Sequence, residues 1–200
     1  MAIARIYLVR HGETEWSLSG QHTSATDIPL TARGEQQAHR LGEILRRTEF
    51  TQIWSSPLQR ARGTCEAAGL GSIMNIEPAL TEWNYGQYES LTSADIRARR
   101  PDWNLFRDGC PGGESPEQVS TRADQVVARL RSADGNVAIF SHGHFLRALA
   151  ARWVRLAVGE GQRLLLQTAS LSILACEHNN PDEPVIALWN AGLDYLDVKR

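Results

Sequence analysis

Short apolar runs that alternate with longer amphipathic segments constrain the fold of this 200-residue chain more than any other feature. The runs are typical of strands, because they are brief and rich in β-branched and aromatic residues, while the longer segments space apolar residues as a helix does. This alternation predicts an α/β fold, a three-layer α/β/α sandwich with a mostly parallel central sheet flanked by helices. We expect a single domain over residues 1–200, since no linker, repeat or low-complexity tract interrupts the pattern.

Six strands and five helices follow from this pattern. Strands are predicted over 4–9, 52–55, 73–76, 137–140, 171–177 and 185–189, and helices over about 31–48, 57–68, 93–100, 116–130 and 145–154. Thr31 and Ser115 are predicted to cap two of the helices. Turn-forming residues or irregularly spaced aromatic residues predict loops over 17–31, 78–92 and 107–116, and residues 190–200 are interpreted as a loose tail.

Composition narrows the classes of partner. The formal net charge is −2 and no apolar run is long enough to cross a membrane, so neither nucleic acid nor a membrane is an expected partner. Cys65, Cys110 and Cys176 are far apart and odd in number, which indicates reduced thiols in a cytoplasmic protein. All basic residues except Lys199 are arginines, whose planar forks suit phosphate, although a GC-rich genome would also produce this bias.

The first candidate for chemistry is Arg10-His11-Gly12, which stands where the first predicted strand ends. In α/β sheets, functional groups collect beyond the C-terminal ends of the strands. Gly12 lets the backbone turn and approach a ligand closely, and a neutral imidazole on His11 can attack phosphorus. Arg10 would supply positive charge for the phosphoryl oxygens. A histidine at a strand end also serves as a structural hydrogen-bond donor, so this triplet alone leaves both interpretations open.

Two further candidates come from the segments 55–64 and 80–86. Arg60 lies in the first turn of a predicted helix, whose N-terminus adds attraction for an anion, although a solvated surface arginine also fits the pattern. Glu82 stands close to Trp83 and Tyr85, and desolvation by aromatic rings favours the protonated carboxyl that a general acid requires. The alternative for Glu82 is a surface glutamate on a loop.

The fourth candidate is Ser141-His142-Gly143-His144, which follows the predicted strand 137–140. His142 is a candidate hydrogen-bond donor to phosphoryl oxygens, and His144, where a helix starts, is a candidate substrate contact. The two imidazoles could instead bind a metal, but carboxylate ligands at suitable spacing are absent nearby. Neither a metal nor a cofactor is therefore expected.

Taken together and in this order, the segments RHGET, SSPLQRARGT, TEW and SHGHF resemble the histidine phosphatase superfamily, in its phosphoglycerate-mutase-like branch. The resemblance covers about residues 4 to 176. It implies that His11 is a nucleophile that becomes phosphohistidine and that Glu82 is the proton donor. It also implies that Arg10, Arg60 and His142 hold the three phosphoryl oxygens, so that no metal is needed to offset their charge.

The same resemblance implies softer substrate contacts. Thr23 stands where relatives use a threonine to contact substrate, whereas Ser17 replaces an asparagine that is usual in mutases. The remaining expected contacts are Gln21, Tyr85, Gly143 and His144, with Arg107 holding the far end of the substrate. Solvation of a loop is the alternative for Ser17 and Gln21, and aromatic packing is the alternative for Tyr85.

Departures from the mutase pattern refine the expected activity. The middle segment is shorter than in cofactor-dependent mutases, and Asp108 stands where a second arginine is expected, which would repel a bisphosphoglycerate carboxylate. A less closed site should admit water to phosphohistidine and favour hydrolysis. The segments GQHT, EWNYGQYE and RDGCPGGES look like sedoheptulose-bisphosphatase-like and broad acid phosphatase members, which implies sugar phosphates or bisphosphates as substrates.

Two other functions stay open at this point. One is a cofactor-dependent phosphoglycerate mutase, and the other is a non-catalytic module that binds a phosphorylated ligand. The presence of both His11 and Glu82 argues against the module. No interface pattern stands out in the sequence, and a homodimer is among the arrangements that stay open.

Overall fold

The computed structural model describes residues 5–198. Ala4, the predicted first residue of the first strand, lies outside the described residues. Six strands form one sheet in the order β3-β2-β4-β1-β5-β6. Their bounds are β1 (Ile6–Arg10), β2 (Gln52–Ser55), β3 (Met74–Ile76), β4 (Val137–Ser141), β5 (Leu171–Cys176) and β6 (Pro184–Ala191).

The sheet is mostly parallel, as the alternation of strands and helices predicts. Strands β3, β2, β4 and β1 pair in parallel, whereas β5 is antiparallel to both β1 and β6. Parallel pairing aligns Arg10 at the end of β1 with Ser141 at the end of β4. The polar residues that follow these two strands therefore emerge side by side at one edge of the sheet.

Helices cover both faces of the sheet, which confirms the three-layer architecture. The α-helices are α1 (Glu15–Ser19), α2 (Ala32–Leu45), α3 (Gln59–Ala67), α4 (Ser93–Arg99), α5 (Leu105–Asp108), α6 (Pro116–Arg131), α7 (Gly143–Trp153) and α8 (Leu193–Val198). Short 3₁₀ helices occupy Gly71–Ile73, Pro78–Leu80, Gly86–Tyr88, Val158–Arg163 and Glu177–Asn179.

Alternating side chains of β4 separate the two halves of the core. Val137 and Ile139 pack into the cluster that contains the apolar faces of α6 and α7. Ala138 and Phe140 pack into the second cluster, with apolar residues of α2 and α3. All five residues of β4 are buried, as expected for a central strand covered on both faces.

The predicted caps form at both long helices. The Thr31 side chain accepts a hydrogen bond from the backbone N–H of Gly34 at the start of α2. Ser115 and Gln118 make a reciprocal capping box at the start of α6, with Pro116 as the first helical residue. These contacts give hydrogen-bond partners to backbone N–H groups that the first turn of a helix would otherwise leave unpaired.

Several loop predictions were wrong at their ends. Residues 190–200 are not a loose tail as far as they are described: β6 continues to Ala191, and α8 follows because Leu193 packs into the second core cluster. Residues 17–19 belong to α1, which a Thr14–Ser17 capping box starts. Residues 107 and 108 complete α5. Over residues 5–198, none of the helices combines the length and apolar character that a membrane span requires.

Candidate active site

A cavity of about 240 Å³ opens beyond the C-terminal ends of β1 and β4. Arg10 ends strand β1 and His11 follows it, and the start of α7 contributes Gly143 and His144. Glu82 enters from the loop after β3. The other residues that line the cavity are Thr14, Trp16, Ser17, Gly20, Gln21, His22, Thr23, Tyr85, Ser93, Arg147, Leu165 and Leu166.

His11 is held in a single tautomer. Its Nδ1 atom lies 2.8 Å from the carbonyl oxygen of Gly12, and because a carbonyl only accepts, Nδ1 carries the proton. The Nε2 atom therefore keeps its lone pair. Burial lowers the pKa of His11 well below its ordinary value, and the charges of Arg10 and Arg60 lower it further. The ring is thus neutral and can act as a nucleophile.

Gly12 is required by the close approach of two chain segments. A Cβ atom at this position would lie 2.5 Å from the carbonyl oxygen of Gly34, at the start of α2. The Gly12 N–H donates to Thr64 Oγ1 on α3 at 2.9 Å. The turn after His11 is therefore fixed between two helices, and no larger residue fits there.

Arg10 presents an unpaired donor inside the protein. Its Nη1 donates to the Leu166 carbonyl at 2.5 Å, while its Nε is buried and has no hydrogen-bond partner in the described part of the chain. A Cβ atom on Gly143 would lie only 3.2 Å from Arg10 Cζ, so the glycine lets the guanidinium lie against the start of α7. A buried donor without a partner is costly, and the guanidinium also places positive charge beside His11.

Arg60 and His142 form a buried layer beside His11. Arg60 Nε donates to His142 Nδ1 at 3.2 Å, so the proton of His142 stands on Nε2, which donates to Ser56 Oγ at 2.7 Å. The His11 and His142 ring centroids are 5.2 Å apart. Burial, followed by the charge of Arg60, lowers the pKa of His142 well below its ordinary value. Neither Arg60 nor His142 lines the open cavity, so their direct contact with phosphoryl oxygens stays a prediction.

Glu82 has surroundings different from those expected. Its carboxylate accepts backbone N–H bonds from Trp83 at 2.9 Å, from His144 at 3.1 Å and from Phe145 at 2.8 Å. The last two donors belong to the first turn of α7, where the helix dipole favours a negative group. Peptide dipoles, more than aromatic rings, therefore surround this carboxylate at the cavity wall.

Six of the seven softer contact residues line the cavity, but several of them already have partners. The Ser17 hydroxyl belongs to the capping box of α1, and Gln21 Nε2 donates to the Ser90 carbonyl at 2.9 Å. The Thr23 hydroxyl donates to the Gln21 carbonyl, and the Tyr85 hydroxyl lies 2.6 Å from His144 Nδ1. Their roles in substrate binding stay predictions.

Arg107 is the predicted contact that the structure does not bring to the cavity. Its guanidinium pairs with the Asp108 carboxylate, with Nε 2.8 Å from Oδ1, and also donates to the Asp102 carbonyl. Asp108 also accepts a hydrogen bond from the backbone N–H of Asn104, the N-cap of the short helix α5. This bond holds the ion pair in place on that helix. Asp108 does not line the cavity either, so it supplies no repulsion for a substrate carboxylate there.

Sequence reasoning missed two basic residues of the cavity wall, His22 and Arg147. Arg147 stands on α7 four residues after Gly143, and this helical spacing could have revealed it. Its Nε and Nη2 donate to the carbonyls of Gly161 and Gln162, each at 3.0 Å. His22 offered no comparable local signal, because a distant contact with Leu91 positions it.

One group of three metal-ligating side chains occurs in the described residues, but it lies elsewhere. Glu177, His178 and Glu183 are exposed around the turn between β5 and β6, and none of them lines the cavity. The residues around His11 are mainly hydrogen-bond donors and cations, which suit an anionic ligand.

The family model described as "Histidine phosphatase superfamily (branch 1)" matches residues 6–191. The chain belongs to this superfamily, as its sequence motifs predict. An acid phosphatase of Mycobacterium tuberculosis is 42% identical over 188 residues, which are 92% of each chain. The sedoheptulose 1,7-bisphosphatase of Saccharomyces cerevisiae is 32% identical over 249 residues, with 92% of each chain covered.

A solved structure agrees with these sequence relatives. The product of the open reading frame Rv3214 from Mycobacterium tuberculosis superposes with a TM-score of 0.88 and 40% identity, covering 95% of this chain and 98% of that one. Family membership and the relatives identify the chain as an enzyme, a phosphatase.

Proposed function

We propose that this chain hydrolyses small phosphorylated metabolites, sugar phosphates or bisphosphates, through a phosphohistidine on His11. The observation that carries the proposal is the neutral His11 ring with its proton held on Nδ1, next to the unpaired buried Nε of Arg10. A nucleophile with a free lone pair and a guanidinium cation line the same cavity. The name of one sequence relative, a sedoheptulose 1,7-bisphosphatase, supports the same class of substrate.

In the first step, the lone pair of His11 Nε2 attacks phosphorus and the bond from phosphorus to the ester oxygen breaks. We assign Glu82 as the proton donor: a proton on Oε2, which accepts one backbone N–H bond where Oε1 accepts two, passes to the departing oxygen, and the product is a neutral alcohol. Arg10 and Arg60 are assigned to offset the charge on the phosphoryl oxygens, and His142 is assigned the same role, which requires its Nε2–H to turn from Ser56 Oγ to the substrate. These cations and donors take the part that a metal ion plays in other phosphoryl transfer enzymes.

In the second step, water attacks phosphorus of the phosphohistidine. The Glu82 carboxylate, left ionised by the first step, takes the proton of that water. The bond from phosphorus to Nε2 breaks, inorganic phosphate leaves, and the lone pair returns to His11. Glu82 regains its proton, so each turnover restores the starting state.

The far end of the substrate is assigned to Arg147 in place of Arg107. Arg147 lines the cavity, and the Arg107 guanidinium is engaged by Asp108. Burial lowers the pKa of Arg147, although the nearby Glu82 partly offsets this effect, and the side chain remains a cation. With Asp108 outside the cavity, hydrolysis is preferred over mutase activity because the acid phosphatase relative is 42% identical, whereas relatives named probable phosphoglycerate mutase are 36% identical.

The test is release of inorganic phosphate from a panel of esters in the presence of EDTA. The panel contains ribose 5-phosphate, fructose 1,6-bisphosphate, sedoheptulose 1,7-bisphosphate, 3-phosphoglycerate and p-nitrophenyl phosphate. We expect hydrolysis of the sugar esters without added metal. Release from none of them, or interconversion of phosphoglycerates only when a bisphosphate primer is added, would contradict the proposal.

Three further assignments belong to the same proposal. We assign the chain to one domain, supported by the single sheet, and to the cytoplasm, supported by three free cysteines. A homodimer is retained as a prediction, supported by the edge strand β3, beside which Ile73 and Ile76 are exposed. Sedimentation velocity tests the last of these.

A further inference from the structure

One wall of the cavity carries a hydrogen-bonding pattern that the phosphoryl chemistry does not use. The rings of His22 and His144 lie there with their centroids 6.0 Å apart and their planes only 6° from parallel. Tyr85 and Trp103 contact the His22 ring edge-on, at centroid distances of 4.7 and 5.7 Å. Aromatic packing therefore fixes the orientation of His22, which is 7% exposed.

His22 offers a hydrogen-bond acceptor to the cavity. Its Nδ1 lies 2.7 Å from the Leu91 carbonyl oxygen, so Nδ1 carries the proton and Nε2 keeps the lone pair. Within residues 5–198, Arg10 Nε is the one fully buried side-chain nitrogen or oxygen without a partner. The unpartnered His22 Nε2 is therefore open to the cavity that His22 lines. Burial lowers the pKa of His22, which keeps the ring neutral near neutral pH.

His144 offers a donor beside this acceptor. Burial raises the pKa of Tyr85 well above its ordinary value, so the phenol stays protonated. Its hydroxyl lies 2.6 Å from His144 Nδ1, its one hydrogen-bond partner among the described residues, and we assign the phenol as the donor. His144 then carries its own proton on Nε2. Burial, with the charge of Arg147 second, lowers the pKa of His144 well below its ordinary value, so this ring is neutral too.

We propose that His22 and His144 form a hydroxyl-recognition pair that makes the enzyme selective for phosphorylated polyols. A lone pair on one ring and an N–H on the parallel ring complement hydroxyl groups, which both donate and accept. An alkyl chain satisfies neither group, and an oxyanion placed against His22 meets a lone pair. This inference rests on the proposed function and narrows its substrate class.

The pair is tested by a ratio of specificity constants. Ribose 5-phosphate and n-pentyl phosphate have chains of five carbons, but only the sugar has hydroxyls to recognise. The measured quantity is kcat/KM for ribose 5-phosphate divided by kcat/KM for n-pentyl phosphate. This ratio separates recognition of hydroxyls from any general damage to the site, because damage lowers both constants together.

Two substitutions divide the contacts of His22. His22→Asn keeps an amide N–H close to the position of Nδ1, and so the bond to Leu91, but removes the acceptor at Nε2. His22→Gln extends an amide to the position of Nε2 and gives up the bond to Leu91. We expect the ratio to fall about tenfold in His22→Asn, the effect of one lost hydrogen bond, and to recover in part in His22→Gln. His39→Asn, at an exposed histidine of α2, is the matched control.

A ratio that stays at the wild-type value in His22→Asn, or equal losses for both esters, would overturn the inference. Calorimetric binding of the same two esters to His11→Ala, with and without His22→Asn, gives a readout that needs no turnover. Preference for the sugar ester that vanishes in the double variant supports the pair even when the wild type releases no phosphate. In that event, only the proposed function fails.

Discussion

The two ends of the cavity are held in place by different kinds of contact. At the phosphoryl end, sheet hydrogen bonds fix the backbone: the His11 N–H donates to the Ser141 carbonyl and the Ser56 N–H to the Phe140 carbonyl, each at 3.0 Å. At the far end, His22 and Tyr85 stand on loops, whereas His144 and Arg147 stand on α7. Glu89 joins these loops by accepting from the N–H groups of Ser24 and Thr26 at 2.9 and 3.0 Å.

The phosphoryl end therefore depends on a sheet geometry that other α/β folds share, whereas the far end depends on loops that are particular to this chain. Parallel strands that end in register deliver nucleophile and donors to one edge with little help from loops. The far wall depends on how the chain segments around residues 22, 85 and 144 cross, and a single changed loop would rearrange it. Chemistry is therefore expected to be robust at one end and selectivity to be adjustable at the other.

Removal of the nucleophile tests the phosphoryl end most severely. We expect His11→Ala to lower kcat for sugar phosphates by roughly 10⁶-fold, because no other group in the cavity replaces the attacking nitrogen. The measurement is phosphate release, together with trapping of a base-stable, acid-labile phosphohistidine in the wild type. His39→Ala is the control and should keep wild-type turnover. Retained turnover in His11→Ala would remove the basis of the mechanism.

Glu82→Gln sharpens the comparison, because its effect depends on the leaving group. The amide has no proton to give to a departing alkoxide, so we expect kcat for ribose 5-phosphate to fall about 10²–10⁴-fold. The loss for p-nitrophenyl phosphate should be much smaller, since nitrophenolate departs without protonation. Glu66→Gln, on the exposed side of α3, is the matched control. Equal losses for both esters would contradict the role of proton donor.

The free energy of unfolding at acid pH tests whether the histidines at both ends of the cavity are buried in their neutral form. Burial lowers the pKa of His11, His142 and His144 well below 6.5 and also lowers that of His22. The unfolded chain binds a proton at each of these rings below pH 6.5, whereas the folded chain does not until its lower pKa is reached. The free energy of unfolding is therefore fully retained above pH 6.5 and falls as the pH drops through that value.

Each of these histidines adds a slope of up to about 1.4 kcal/mol per pH unit, a tenfold change in the unfolding equilibrium constant. Urea unfolding between about pH 7.5 and about pH 5 measures the slope. His22→Asn should make it shallower, because one buried imidazole is removed. A free energy of unfolding that is constant across this range would show that the rings are not held neutral.

Most of the sheet and the phosphoryl end could be predicted because their signals are local. The apolar runs that end at Val9 and Phe140 are followed closely by His-Gly pairs, which mark the ends of two strands. Thr31 and Ser115 are typical N-cap residues and predict the starts of α2 and α6. The helix α8 gave no such signal, since Leu193 becomes buried only when the second core cluster is assembled.

The far wall could not be predicted, because the contacts that form it join residues that are distant along the chain. His22 acquires its tautomer from Leu91, which is 69 positions away along the chain. Residue spacing within one element reveals Arg147, on the same face of α7 as Gly143, but it does not reveal which loop a side chain will meet. The prediction for Arg107 meets the same limit, since its position in the segment is visible in the sequence but its pairing with Asp108 is not.

The smallest expected effect lies at Arg107 and decides which arginine serves the far end. We expect Arg107→Ala to change kcat/KM for ribose 5-phosphate by about twofold or less, because its side chain is 64% exposed and engaged by Asp108. Arg147→Ala should lower the same constant about tenfold, because a cation is lost from the cavity wall. Reversal of this order would mean that α5 turns Arg107 toward bound substrate, and the far wall would then have to be assigned to a different set of loops.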